Sequence, residues 1–122
     1  MNKVQTANKV SQQELTGASG QSITALRYTG DISSASKEPV VGAYQALDKA
    51  THRFLLLDFK GVEYLNSSGI ALVIQVLMEA NKAGQKIAIC SLTPHFTKVF
   101  TMVGITKYAT LYADEAAALA AL

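Results

Sequence analysis

The sequence predicts an α/β fold built on a parallel or mixed sheet. Short apolar runs at 54–59 (Phe-Leu-Leu-Leu-Asp-Phe) and 86–90 are bounded by turn-forming residues. They suit strands buried on both faces. Between such runs, apolar residues recur at helical spacing, as in Val40, Val41, Tyr44, Leu47 and Ala50. The two patterns alternate along the chain, strand then helix, which is the order of a layered α/β sheet.

The elements follow in order. Residues 1–20 are polar and rich in Gln, Asn, Ser, Thr and Gly, and two readings stand for them: a mobile extension or an added edge segment. Residues 23–32 read as a strand closed by the turn Thr29-Gly30-Asp31. Pro39 suits the first turn of a helix over about 39–50. The strand at 54–59 leads into a loop at 61–68. Ser67 or Ser68 then caps a long helix reaching Lys82, with Gly84 as its stop. A strand at 86–90 is followed by Thr93 as cap and Pro94 at the first position of a helix that Gly104 ends. Residues 108–112 read as a short strand, and 114–122 as an Ala-rich helix opened by two acids.

Composition narrows the function classes. A chain of 122 residues fits one domain and buries a core without disulfides. Hydrophobic residues are 49% and charged residues 16%, the latter below the usual ~25%. That excludes disorder for most of the chain. Eleven Lys and Arg against nine Asp and Glu leave +2, too weak a balance to predict direct binding to nucleic acid or an anionic membrane. The single cysteine, Cys90, excludes an intramolecular disulfide and a cysteine-only metal site, and suits a reducing compartment. No apolar run approaches the ~20 residues of a membrane span, and residues 1–20 lack the apolar core of a signal peptide. The expectation is a cytoplasmic protein without cofactor or metal. No spaced acid/base pair or phosphate-cradling glycine loop is present, so an enzyme is not expected.

The informative stretch is 55–80. A buried strand ends at Asp58, a loop follows, and Asn66-Ser67-Ser68-Gly69 opens a helix that is apolar on nearly every side. A strand end opening onto a helix start is where open α/β sheets place functional groups. The helix start offers unpaired N–H groups and a partial positive charge, so a phosphoryl group on either serine faces a region that favours anions. A serine there also serves simply as a cap, worth about 1 kcal/mol. Asn66-Ser67-Ser68 fits the N-glycosylation pattern as well, which is discounted without a secretion signal.

Gly30-Asp31-Ile32, Leu56-Leu57-Asp58-Phe59 and the stretch 62–71 (Val-Glu-Tyr-Leu-Asn-Ser-Ser-Gly-Ile-Ala) together resemble the STAS domain of bacterial anti-sigma factor antagonists. The Ala83-Gly84 turn, the strand at 87–90 and the segment 93–105, with Phe96, Val99, Phe100 and Gly104, are similar too. The resemblance implies a STAS-like mixed β-sheet flanked by about four α-helices, over 21–122, behind the polar extension 1–20. It implies a protein with no active site of its own. Its partner is an anti-sigma factor that is also a serine kinase, and transcription is controlled indirectly. In the family pattern Asp-Ser-(Ser or Thr)-Gly the first hydroxyl residue after Asp is phosphorylated. That position is Ser67, with Ser68 beside it. The implied partner surface is Asp31, Ser33, Tyr64, Asn66, Ser67, Ser68, Gly69 and Thr93. Asn66 and Ser33 stand where the family often carries Asp. Those departures lend weight to an alternative, a non-phosphorylated accessory subunit of a signalling assembly or a transporter.

The remaining polar residues have plainer readings. Cys90 packs as a small apolar side chain. Asp58 makes a turn or a structural hydrogen bond, and Asp31 shapes its turn. His52 and His95 are expected at the surface, with Thr97 and Lys98 on a solvated helix face. Tyr44, Phe96 and Phe100 are expected in the core.

Overall fold

The computed structural model describes residues 7–122. Five strands form one mixed sheet in the order β1-β2-β3-β4-β5. β1 (Lys9–Thr16) pairs antiparallel with β2 (Ser22–Thr29). β3 (Phe54–Gly61), β4 (Lys86–Cys90) and β5 (Ala109–Tyr112) then add in parallel. Of the two readings for residues 1–20, the edge segment is what residues 9–16 form; residues 1–6 lie outside the described residues. Parallel neighbours need crossovers, and here helices supply them. α2 (Ser67–Lys82) links β3 to β4, and α3 (Pro94–Met102) links β4 to β5. α4 (Glu115–Ala121) follows β5. This is the expected α/β architecture, a mixed sheet with four helices.

Helices cover both faces of the sheet, which is why residues 54–57 run apolar without alternation. Leu55, Leu57 and Phe59 face the larger cluster with Leu26, Tyr28, Ile87 and Ile89, under Tyr44, Val73, Val76, Leu77 and Phe100. Leu56 points the other way, into a smaller cluster of Ile23, Ala25, Ala88, Cys90 and Ala118. The period-two pleat of the strands divides them.

The helix expected over 39–50 is shorter and irregular. A 3-10 turn (Ser34–Ser36) precedes a π-helical turn (Glu38–Gly42) and one turn of α1 (Ala43–Gln45). Val40, Val41, Tyr44 and Leu47 are buried as expected, but Ala50 is exposed. The cause lies at Asp48, whose side chain accepts Ala50 N–H at 2.9 Å while its carbonyl accepts His52 N–H at 2.9 Å. A short acidic side chain competes with helix bonding in this way. Gly84 (φ 73) and Gly104 (φ 86) sit in the left-handed region at the ends of α2 and α3, as a helix stop requires.

Candidate partner-binding site

The carboxyl ends of β2 to β5 share one edge of the sheet, because those strands are parallel. The loops there feed the starts of the helices, the usual position of a site in an open α/β sheet. The loop after β2 and the loop before α2 are tied together. Ile32 N–H donates to Tyr64 O at 2.9 Å, Asn66 N–H donates to Ile32 O at 3.2 Å, and Ile32 bridges Leu65 in parallel. Ile32 is fully buried and acts as a strap. Its neighbours Asp31 and Ser33 are thereby held against the segment 64–66.

The cap of α2 is neither serine. Asn66 takes that role, its Oδ1 accepting Gly69 N–H at 2.8 Å. This corrects the assignment of the cap to Ser67 or Ser68. Asn and Asp rank above Thr as caps and match Ser, and the residue before Ser67 already had extended backbone (φ −99°, ψ 177°). Ser67 and Ser68 are left as the first two helical residues, both exposed. Replacing Asn66 by Ala is expected to cost about 1 kcal/mol in urea denaturation, while Asp at 66 is expected to leave stability within ~0.5 kcal/mol.

Gly69 is buried where α2 passes the strap. A Cβ there would lie 2.4 Å from the Ile32 carbonyl oxygen and 2.7 Å from its carbonyl carbon. Only glycine lets the helix start this close to the loop.

Ser33 and Thr93 also cap their helices. Ser33 N–H donates to Ser36 Oγ at 3.0 Å, and Ser33 Oγ accepts Ala35 N–H at 3.3 Å, a reciprocal box. Thr93 Oγ1 accepts Phe96 N–H at 3.2 Å at the start of α3, at the end of β4, one strand over from β3. Asp31 is nearly buried, and its carbonyl accepts from Ser36 Oγ at 3.4 Å. Tyr64 is 42% exposed in the loop before α2.

Around this edge lies a polar network that the residue pattern did not reveal. Arg27 Nη1 donates to Asp58 Oδ2 at 2.7 Å and to Glu115 Oε1, and Arg27 Nη2 donates to Gln13 Oε1 at 2.6 Å. One guanidinium thus joins β1, β2, β3 and α4, and the bond to Glu115 is the main reason its pKa is raised. The signal was a lone arginine inside an apolar strand. Asp58 also accepts Lys60 N–H at 2.9 Å, in keeping with the structural hydrogen bond expected for it. Cys90 is buried as expected, and burial pushes its thiol up to about 11. His52 differs from expectation: it is partly buried, with Nδ1 2.8 Å from Thr24 Oγ1, because its loop folds against β2. His95 is exposed, its ring 5.1 Å from that of Phe96, and Phe96 is only partly buried. Among the described residues, no group of three or more His, Cys, Asp or Glu is placed to hold a metal ion, and no helix is long and apolar enough to cross a membrane.

The model of the STAS domain family matches residues 16–118. The chain belongs to the STAS domain family. This STAS domain is 22% identical over 101 residues to the anti-sigma F factor antagonist of Paenibacillus polymyxa, covering 82% of this chain and 86% of that one. In structure it is similar to an anti-sigma factor antagonist from Mycobacterium paratuberculosis, with a TM-score of 0.75 and 18% identity over 93% of this chain and 92% of that one. It is also similar to the Bacillus cell fate determinant SpoIIAA in its phosphorylated form, with a TM-score of 0.65 and 17% identity over 89% and 96%. The similarity to both structures is one of fold.

Proposed function

We propose that this STAS domain is an anti-sigma factor antagonist that captures an anti-sigma factor serine kinase and is switched by phosphorylation at Ser67. One observation carries the reading. Ser67 is an exposed hydroxyl in the first turn of α2, released from capping by Asn66, directly after the loop strapped to Ile32. The names of the relatives support the antagonist role.

Phosphorylation adds roughly −1.5 to −2 charges at neutral pH. Its interaction with the helix dipole is worth about 0.3–1 kcal/mol at an exposed position, too little to refold a packed domain. Burying the same dianion unpaired against a partner costs far more. The phosphate therefore acts by blocking an interface.

The test is incubation with ATP and candidate partner kinases, read by mass spectrometry. The expected result is one phosphate on Ser67, lost in Ser67→Ala with the fold intact. Ser67→Asp is expected to weaken capture at least about tenfold, or ~1.4 kcal/mol, with backbone chemical shifts unchanged outside the loop. Shifts spread across the sheet would refute the interface mechanism. The second reading, an accessory subunit without phosphorylation, is favoured by the neutral caps Asn66 and Ser33. Stable association with no phosphotransfer would select it.

A further inference from the structure

We propose that α4 is a latch that opens on its own and uncovers the second face of the sheet. α4 has seven residues, whereas an isolated helix needs about 12–15 to hold its shape in water. It is helical because it is docked. Its apolar grip is small: Ala118 is fully buried, and Leu119 and the C-cap residue Leu122 are partly buried. The cluster that it covers, Ile23, Ala25, Leu56, Ala88 and Cys90, is separate from the larger one. Among the described residues, α4 adds no side chain to that larger cluster. Undocking α4 thus disrupts the small cluster alone, which is the condition for opening below the global level.

Polar contacts close the latch. Glu115 pairs with Arg27, which also holds Asp58. Asp114 Oδ1 accepts Ala117 N–H at 2.8 Å and starts the helix. At the far end the β1–β2 turn grips it: Ala18 N–H donates to Leu119 O at 2.9 Å, Gln21 Nε2 donates to Leu122 O at 3.2 Å, and Ser19 bonds the same carbonyl. Opening exchanges these for water and leaves an apolar strip with Arg27 and Asp58 at its edge.

Cys90 reports the opening. It is the sole cysteine and is 0% exposed beneath α4. The experiment follows labelling of the full chain by a chromogenic disulfide reagent at pH 8, in urea below the global transition. The labelling rate is expected to rise less steeply with urea than global unfolding does by circular dichroism, because α4 opening exposes less surface. Glu115→Gln and Leu119→Ala are each expected to speed labelling about tenfold with the cooperative transition retained. The two variants separate opening from local electrostatics. Glu115→Gln removes the ion pair to Arg27 as well as a latch contact, whereas Leu119→Ala changes no charge. An unchanged rate in Leu119→Ala overturns the latch. So does labelling that tracks the urea slope of global unfolding in all three proteins.

Discussion

Gly69→Ala is expected to destabilise the protein by about 2–3 kcal/mol and to lower its melting temperature by roughly 10 °C. Two effects compete at this position. Alanine is the better helix former by ~1 kcal/mol, so in open space the substitution would stabilise. Here the new methyl carbon meets the Ile32 carbonyl oxygen at 2.4 Å, a backbone atom fixed by its own bond from Asn66. Neither side has a flexible end that can yield, so either α2 or the strapped loop moves. The consequence reaches function as well, because the same strap sets where Ser67 is presented. Thermal and urea denaturation measure the effect, with Ser68→Ala as the exposed neighbour that is expected to change stability by less than ~0.5 kcal/mol. A gain in stability for Gly69→Ala would mean that the close approach to Ile32 is absent.

Phe59→Ala is expected to cost about 3–5 kcal/mol. Phe59 lies at the centre of the larger cluster, 1% exposed. Its ring centroid is 5.3 Å from that of Tyr28 and 5.8 Å from that of Phe100, the second pair edge-on at 87°. Removing it leaves a cavity under α3 and breaks both ring pairs, each worth about 0.5–1.5 kcal/mol beyond area burial. A double-mutant cycle with Phe100→Ala is expected to show a coupling of about 1 kcal/mol. Additive losses would show that α3 is not held through this pair.

Much of the fold is legible from short-range pattern. The unbroken run Leu55-Leu56-Leu57 states that both faces are covered, Thr93-Pro94 starts α3, and Gly84 and Gly104 stop α2 and α3. These are local properties of conformational freedom and side-chain polarity, and they survive in any context. The serine loop was legible for the same reason, since Asn66-Ser67-Ser68-Gly69 lies just before an apolar helix. Composition alone settled that these 122 residues, with one cysteine, hold no disulfide among themselves.

What only the tertiary structure decided depends on contacts between distant residues. Asn66 rather than a serine is the cap, because the loop's attachment to Ile32 sets where helical geometry begins. Gly69 is required by a carbonyl 37 positions earlier, the difference between 69 and 32, which no window of sequence displays. Arg27 reads as an anomaly in a strand until β1, β3 and α4 surround it with acceptors. The segment 9–16 becomes a strand only by pairing with β2, since its own residues are mostly polar and exposed. In each case a backbone or charged group takes its role from partners that sequence spacing cannot bring together, and folding does.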